Sequence, residues 1–519
     1  MKALPLWLKL AIGLALVLGV SLRFINLNKK IFWIDEVSTA WAVSGYSEKE
    51  VAAAIATGQP LHAADVLRYQ HGAAGRSWQT TVRVLATSDA VHPPLFYLML
   101  RSWRQLFGAS IGVTRSFSAL LSLLLLAGVY CLCLELFGSA LAGWLAAALI
   151  ALSPFHLYYA QEAREYVLVT ALMVLSSVAL LRARRIGSAG AWLLYAASIL
   201  AGLYTSLLFF ATVMVHAAYV FATSARPHDR KAVRNFVFCA VPVVAASVPW
   251  LWTVATHRQE VASGLAWFGT PVTSTSYVAH ALSELGGLFL WAPWSLRDLA
   301  TLGIALLVLV AYSLRILLRD GPRDASIFIS LLIAIPTLPL LAYDILFGGS
   351  RLLIGRYIEL AFLGFDLSVA YLFARCLNGV RISARIVPAW QAGVAALLLC
   401  SAASCVKESS SPTAWDSQRN AYVVGLGQLL DRAAAPLLVS DVYKRNVLDV
   451  SVLSNSLTPQ VAIAMVNDPK SPPIAGYQQV FVLNPSPQLL RRLSSRLRNA
   501  PQSIDASFPV FAFDPNEKP

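Results

Sequence analysis

Two adjacent carboxylates, Asp35 and Glu36, follow the first hydrophobic segment of the chain within the sequence Phe32-Trp33-Ile34-Asp35-Glu36. An acid in or against a bilayer is costly, and such acids are kept mainly where they have a function. A carboxylate within hydrogen-bonding reach of a hydroxyl can remove its proton, so the pair predicts a general-base site on the non-cytoplasmic side. The alternative is an ordinary solvated pair of acids in a loop.

A second polar group stands in a short turn between two apolar segments, at residues 158–166 (YYAQEAREY). The candidate binding residues there are Glu162, Arg164, Glu165 and Tyr166. Carboxylates are favoured at a helix N-terminus by the helix dipole, which is the purely structural alternative. A simple cap would not also require an arginine and a tyrosine, so the turn indicates a binding site.

A third group, at residues 351–357 (RLLIGRY), contains Arg351, Arg356 and Tyr357. The planar guanidinium group binds two phosphate oxygens at once, so these arginines predict a phosphate contact. The alternative is an interfacial arginine that extends to lipid headgroups. His92 precedes two prolines and is either a group that faces the ligand or a turn residue bonded to backbone.

The composition indicates a polytopic membrane protein. Of the 519 residues, 57% are hydrophobic and 13% are charged, and the mean hydropathy is +0.62; a soluble domain of this size could not bury so much apolar surface. The net charge of +14 fits arginines in cytoplasmic loops. No basic run is interleaved with exposed aromatic residues, so nucleic acid is not an expected partner. The six cysteines lie in or beside hydrophobic segments and predict no disulfide framework.

Apolar windows of about 20 residues predict eleven transmembrane helices, of which the first is a retained signal anchor. They fall near 5–25, 114–137, 140–157, 164–182, 190–207, 208–224, 236–254, 299–318, 326–347, 358–377 and 388–405. With the N-terminus in the cytoplasm, all the strongly basic loops lie on the cytoplasmic side, as the positive-inside rule requires. These loops are 182–185, 226–234, 315–323 and 375–385.

The same rule predicts that residues 92–104 do not cross the membrane, and their length and arginines favour an amphipathic interfacial helix. The first outer loop, 28–112, is then long enough to be structured. We therefore assign residues 1–405 to a transmembrane domain that includes this loop. Residues 406–519 are assigned to a soluble α/β domain outside the cytoplasm, with strands at 436–441 and 479–484 and a helix at 489–497.

These motifs together resemble the GT-C superfamily of polyprenol-dependent glycosyltransferases, and most of all bacterial family 39-like (PMT-2, RgtA-like) proteins. The resemblance covers about residues 1–220, and its later part is loose. The matched segments are Asp35-Glu36, His92-Pro93-Pro94-Leu95-Phe96-Tyr97, Phe107-Gly108, Arg115-Ser-Phe-Ser-Ala, Ser153-Pro154 and Tyr159-Ala-Gln-Glu-Ala-Arg164-Glu-Tyr166.

The resemblance implies that Asp35 is the general base, that Glu36 is its neighbour, and that the helix after His92 lies beside the site. Related aminoarabinose and mannosyl transferases often carry an aspartate where Tyr166 aligns here. The acid of that turn would then be Glu162 or Glu165. The sequence establishes no cofactor and leaves metal dependence open; if a divalent cation binds, Asp35 and Glu162 are its candidate ligands.

The expected function is transfer of a sugar from a polyprenyl-phosphate donor to an extracytoplasmic lipid, glycan or protein acceptor, with inversion. The expected location is the bacterial inner membrane, with the active site and the C-terminus on the periplasmic side. One alternative is a transporter or flippase of lipid-linked saccharides, which predicts inverted repeats and polar residues near mid-bilayer. Asp344 and Glu359 fall near the outer ends of their spans instead. The other alternative is a non-catalytic assembly protein of the cell envelope.

Overall fold

The computed structural model describes residues 4–72, 75–224, 230–265, 274–290, 296–380, 383–413, 420–467, 474–497, 502–505 and 509–513. In chain order the α-helices are α1 (Leu6–Phe24), α2 (Ile34–Ser44), α3 (Glu48–Ile55), α4 (Ala63–His71), α5 (Trp78–Ser88), α6 (Leu95–Phe107), α7 (Ile111–Phe137), α8 (Ala140–Ala151), α9 (Pro154–Ala160), α10 (Tyr166–Ile186), α11 (Ala189–Leu203), α12 (Phe209–Thr223), α13 (Arg230–Thr256), α14 (Arg258–Leu265), α15 (Ser274–Phe289), α16 (Leu296–Asp320), α17 (Arg323–Phe347), α18 (Glu359–Leu377), α19 (Val387–Ser410), α20 (Tyr422–Arg432), α21 (Asn446–Leu453) and α22 (Pro487–Leu497). The strands are β1 (Leu61–His62), β2 (Pro436–Asp441), β3 (Ala462–Val466), β4 (Gln479–Leu483), β5 (Gln502–Asp505) and β6 (Val510–Phe513).

In the described part of the chain, eight helices are long and apolar enough to cross a membrane: α1, α7, α10, α13, α16, α17, α18 and α19. Helices α8 and α9 form a ninth segment that is bent by 67°, and α11 and α12 are shorter apolar helices. These segments correspond one for one to the eleven apolar windows of the sequence. The multi-pass helical architecture is therefore confirmed, while the number of helices that cross the membrane stays a prediction.

The bend between α8 and α9 has a clear cause in the sequence. Ser153 accepts a hydrogen bond from a backbone N–H of the next helix and begins α9 as its N-cap. The last carbonyls of α8 are bonded by Arg23 of α1, whose guanidinium donates to Ala151 at 2.7 Å and to Ile150 at 3.1 Å. Arg23 is fully buried. Its positive charge matches the negative end of the α8 dipole, which stabilises the break inside the apolar bundle.

The six strands form one sheet in the order β1-β3-β2-β4-β6-β5. The central strands β3, β2 and β4 are parallel, whereas the outer pairs are antiparallel. Strands β2 and β4 confirm the predicted strands at 436–441 and 479–484, and α22 contains the predicted helix. The apolar core beside the sheet is formed by alternate strand residues such as Leu437, Val439 and Val480, together with Leu489 and Leu493 of α22.

The chain divides into two compact units. One comprises Met1–Leu27, Asp89–Phe96 and Arg115–Ser410, and the other comprises Asn28–Ser88, Tyr97–Thr114 and Ser411–Pro519. The sequence had grouped the first outer loop with the transmembrane helices, but the structure groups most of that loop with the C-terminal sheet. The reason is long-range pairing: β1, in the loop, is the edge strand beside β3. Such pairing leaves no trace in local hydrophobic periodicity.

Candidate active site

Asp35 and Glu36 form the first turn of α2 in the second unit. Glu36 is 1% exposed, and its carboxylate accepts a hydrogen bond from the Trp33 backbone N–H at 3.4 Å. This contact closes the start of the helix in the manner of a capping box. Asp35 is only half-buried. Of the two acids, Asp35 therefore has the surface through which a ligand can be reached, and Glu36 supports the turn.

Residues of the C-terminal region hold the approach to α2. The Ile31 backbone N–H donates to the carbonyl of Pro412 at 2.9 Å, and the Ile34 N–H lies 3.5 Å from the side-chain oxygen of Asn420. Asn420 is fully buried, and its amide donates in turn to the carboxylate of Asp449 at 3.4 Å. The position of Asp35 thus depends on residues almost 400 positions away. No sequence motif pointed to them.

Two arginines of α6 hold the opposite end of α2. Arg101 donates to the carbonyl of Val43 at 2.6 Å, and Arg104 contacts the carbonyls of Ala40 and Gln70. Both side chains are buried, and burial together with the charge of Arg101 lowers the pKa of Arg104 to about 10. Both arginines remain charged at neutral pH and stabilise the negative end of α2. The helix predicted after His92 is confirmed as α6, and its arginines face this unit rather than lipid headgroups.

The second group of candidate residues meets in the first unit. The Nδ1 atom of His92 lies 2.7 Å from the carboxylate of Glu165, and its Nε2 atom lies 3.1 Å from a guanidinium nitrogen of Arg164. Burial raises the pKa of Glu165, but Arg164 and His92 outweigh it and bring the pKa down to about 2. Glu165 is therefore ionised and orients both neighbours. The backbone N–H of His92 also donates to the carbonyl of Asp89 at 3.0 Å, so a role of His92 in ligand binding stays a prediction.

Tyr166, the first residue of α10, lies between two arginines. The guanidinium carbon of Arg164 is 5.6 Å from the ring centroid, and that of Arg356 is 5.5 Å from the same centroid. Both distances lie within the range of cation–π attraction. Arg356 belongs to a single 3₁₀ turn, Gly355–Tyr357, directly before α18, and is 8% exposed. Two positive side chains thus meet where two helices begin, an arrangement that suits an anion.

The turn that carries Arg356 requires the glycine beside it. A Cβ atom on Gly355 would lie 2.6 Å from the ring of Phe155 and 2.7 Å from the carboxylate of Glu284. The backbone can come this close to its neighbours only because Gly355 has no side chain. The ring of Tyr357 lies 5.7 Å from the guanidinium carbon of Arg356. We call His92, Arg164, Glu165, Tyr166 and Arg356 the arginine cluster.

Arg351 and Glu162 take different positions from the rest of that group. Arg351 forms a 3.1 Å ion pair with Asp344 and lies 4.0 Å from the centroid of the Tyr343 ring. Its charge is therefore already compensated within the fold. Glu162 is 3% exposed, and its backbone carbonyl accepts the N–H of Arg164 at 2.8 Å, which tightens the turn before α10.

Sequence reasoning missed several buried polar residues. Glu359, at the start of α18, accepts a 2.5 Å hydrogen bond from Thr170 of α10. Asp366 lies within α18 and contacts His156 of α9 at 3.1 Å, with both side chains almost fully buried. The available signal for Asp366 was an acid inside an apolar window. The sequence analysis found no polar residue near mid-bilayer, but Asp366 lies well inside its span. The pairing of the two residues with each other fits a structural contact between α9 and α18.

Among the described residues, no three His, Cys, Asp or Glu side chains come together in a group that could hold one metal ion.

Comparison with known proteins connects this geometry to a fold. Residues 91–252 match the family described as dolichyl-phosphate-mannose-protein mannosyltransferase (PMT_2), a range that contains His92 and the turn before α10. ArnT from Cupriavidus metallidurans bound to undecaprenyl phosphate superposes with a TM-score of 0.52 at 12% identity, covering 98% of each chain. Its apo form gives 0.54 at 14% identity, over 98% of this chain and 97% of that one. This chain has the GT-C fold. A search of curated protein sequences found no match.

The GT-C fold confirms the predicted fold class and the predicted superfamily resemblance. The matched family is named for dolichyl-phosphate mannose, and the similar ArnT structure is bound to undecaprenyl phosphate. The family match does not extend to Asp35, Arg351 or Arg356. The roles of those residues, and the finer likeness to family 39-like proteins, stay predictions.

Proposed function

We propose that this protein is a membrane glycosyltransferase that moves a sugar from a polyprenyl-phosphate donor to a hydroxyl of an extracytoplasmic acceptor. The observation that carries the proposal is the pair of buried arginines, Arg164 and Arg356, on the ring of Tyr166 at the starts of α10 and α18. The GT-C fold and the undecaprenyl phosphate bound by the similar ArnT structure support the choice of donor.

The arginine cluster is the proposed phosphate site. A polyprenyl chain lies among lipid tails, so its phosphate lies near the membrane surface. The buried side chains that bind the phosphate must therefore stand at the end of a transmembrane helix. During transfer the bond between the anomeric carbon and the phosphate oxygen breaks, and negative charge builds on the departing phosphate. Arg164 and Arg356 stabilise that charge, and fixed donors in a water-poor site do so strongly. Glu165 and His92 hold Arg164 in place, because the carboxylate is ionised and bonded to the imidazole.

Asp35 is the proposed general base. As the acceptor oxygen attacks the anomeric carbon, its proton passes to the Asp35 carboxylate, which requires a separation of about 2.6–3.2 Å between the two oxygens. A single displacement of this kind inverts the anomeric centre. Glu36 does not touch the proton; its carboxylate is occupied with the Trp33 N–H and keeps the first turn of α2 in shape. Glu162, Arg351 and Tyr357 act as supports of the two loops that carry the cluster.

The proposed location is a bacterial inner membrane with a cytoplasmic N-terminus, which is supported by the basic loops at 182–185, 226–234, 315–323 and 375–385. The C-terminal sheet and the first outer loop then face the periplasm together. A reporter that is active only in the cytoplasm should be inactive when fused to the C-terminus, and an active fusion would contradict this orientation.

One experiment separates the proposal from its two alternatives. The purified full-length protein is reconstituted into vesicles with a radiolabelled polyprenyl-phosphate sugar and a periplasmic glycolipid extract. A glycosyltransferase moves label into the acceptor fraction, and Asp35→Asn stops the transfer. A flippase changes only the leaflet in which the donor resides, and an assembly protein does neither; both of these outcomes would overturn the proposal.

A further inference from the structure

The second unit contains an open polar cleft of about 470 Å³, lined by residues of α3, of α5 and of the segment that precedes α5. The volume falls in the range of small-molecule sites, which is about 300–1,000 Å³. Neither the proposed base nor the arginine cluster lines it. The proposed function therefore assigns no role to the cleft.

The sequence places polar side chains on the cleft in a helical pattern. On α5, Thr80 stands three residues before Arg83 and four before Val84, and Thr87 stands four after Arg83 and three after Val84, so the four side chains lie on one side of the helix. The opposite wall presents Glu50 of α3 and its N-cap residue. The cleft thus presents hydroxyl groups, charged groups and one apolar side chain, Val84. The polar groups can bond sugar hydroxyls, and Val84 can pack against a sugar ring.

One ion pair in the cleft is fixed and neutral. Arg76 pairs with Glu50 at 3.1 Å, lies 3.9 Å from the centroid of the Tyr46 ring, and donates to the carbonyl of Gly45. Slight burial raises the pKa of Glu50, but hydrogen bonds from Ser47 and Arg76 lower it more, so the carboxylate stays ionised. The pair offers fixed hydrogen-bonding groups to a ligand without adding net charge.

Arg83 supplies the net charge of the cleft. It is exposed, and it forms no ion pair with any other residue in the described ranges. A guanidinium beside hydroxyl groups favours a ligand that carries both hydroxyls and a phosphate or carboxylate, because the guanidinium fork matches either anion.

The cleft lies at the far end of the helix that carries Asp35. Gly45, the C-cap of α2, is so close to the cleft wall that a Cβ on it would lie 3.1 Å from Arg76 and 3.1 Å from Thr80. Asp35 stands at the other end of α2, about 15 Å away for ten residues of helix rise. A ligand in the cleft is thus too far from the base to present its reacting hydroxyl there, yet close enough to belong to the same extended molecule.

We propose that the cleft between α3 and α5 binds an anionic saccharide portion of the acceptor, remote from the hydroxyl that reacts. This inference rests on the proposed glycosyltransferase function. Binding energy from such a remote part of a substrate can be used to align its reacting end. The phosphate or carboxylate of the sugar contacts Arg83, while Thr80, Thr87 and the Glu50–Arg76 pair bond its hydroxyls.

The test is direct binding to the full-length protein in detergent, measured by saturation-transfer NMR. The probes are glucose 6-phosphate and galacturonate, with glucose and galactose as their uncharged counterparts. We expect both anionic sugars to bind more tightly than the uncharged ones, and Arg83→Glu to weaken them by about tenfold or more, the size of a lost charged hydrogen bond. Arg68→Glu, an equal charge change at an exposed position outside the cleft, should retain wild-type affinity.

Four results would overturn the inference: no binding, equal binding of charged and uncharged sugars, equal affinity in Arg83→Glu, or an equal loss in Arg68→Glu. Preference for one anionic sugar over the other identifies the acid group while supporting the site. The binding measurement needs no turnover, so its failure is separable from that of the proposed function. If Asp35→Asn inactivates the enzyme while the acceptor KM is unchanged in Arg83→Glu, the proposed glycosyltransferase function is supported and the cleft has no part in it.

Discussion

His92 and Glu165, 73 positions apart in the chain, meet through a 2.7 Å hydrogen bond between Nδ1 and a carboxylate oxygen. A guanidinium nitrogen of Arg164 lies 3.1 Å from the other ring nitrogen, Nε2, and the carboxylate of Asp89 lies 3.7 Å from the same atom. Burial lowers the pKa of His92, but the charges of Asp89 and Glu165 outweigh it and raise the pKa above its ordinary value. His92, which precedes α6, therefore contacts both charged residues of the turn before α10, Arg164 and Glu165.

The first prediction concerns Glu165 and pH. Its pKa is lowered from 4.5 to about 2, so the ionised form contributes stability that is complete above 4.5 and is lost as the pH falls towards 2. Glu165→Gln leaves Arg164 buried without its carboxylate, and breaking such a buried pair costs about 3–5 kcal/mol. The thermal midpoint of the variant should lie well below that of wild type at neutral pH, and the gap should shrink on acidification below 4.5.

The control for this measurement is wild type at each pH, so that effects of acid common to both proteins cancel. A gap between Glu165→Gln and wild type that is the same at pH 7 and pH 3 would show that the Glu165 charge does not stabilise the fold.

The second prediction concerns the base. Asp35→Asn keeps the shape of the side chain but cannot accept the proton, so the turnover number should fall by about 10²-fold or more with normal expression. Glu36→Gln should reduce activity less, because an amide oxygen can still accept the Trp33 N–H. Near-normal turnover of Asp35→Asn would remove Asp35 from the mechanism.

The third prediction separates the two arginines of the loop before α18. Arg356→Lys keeps the charge but loses the two-oxygen fork, so the donor KM should rise, and Arg356→Ala should raise it further. Arg351 is the matched control, because it is paired with Asp344. Arg351→Lys should leave the donor KM unchanged. The reverse result, with Arg351 sensitive and Arg356 tolerant, would move the phosphate site to Arg351.

The fourth prediction concerns the support of α2. Arg104→Met removes the buried guanidinium that donates to the carbonyls of Ala40 and Gln70, and losing a hydrogen bond from a charged group costs about 1.5–3 kcal/mol. We expect a lower thermal midpoint and faster proteolysis of the first outer loop. Arg491→Met changes an exposed arginine of the same unit and should do neither. Equal proteolysis of the two variants would show that Arg104 does not hold the helix.

The sequence predicted what is encoded locally. Eleven apolar segments, β2 and β4 follow from hydrophobic patterns within windows of a few to about 20 residues. The edge pairing of β1 with β3 was not predictable, because it joins Leu61 to Ile463 and depends on no local pattern. The roles of Arg101 and Arg104 were hidden for a similar reason: their acceptors are backbone carbonyls, and every residue has one.

The sequence indicates candidate site residues but not their contacts. Arg351 and Arg356 look equivalent in sequence, since each stands near the start of the same span. The structure distinguishes them by their partners, Asp344 for one and Tyr166 for the other. A tertiary partner is not visible in a residue's own neighbourhood.

The pairing of Leu61 with Ile463 has a consequence for how the protein is made. A ribosome adds about 5–20 residues per second, so the roughly 400 residues between the two strands take about 20–80 s to synthesise. During that time the segment with Asp35 has emerged, but Pro412, Asn420 and Asp449, which hold its approach, do not yet exist. The segment before α2 therefore acquires these partners last, and a chain that stops before the C-terminal sheet lacks them. Under the proposed function, such an unfinished chain has no positioned base and is inactive until the sheet is complete.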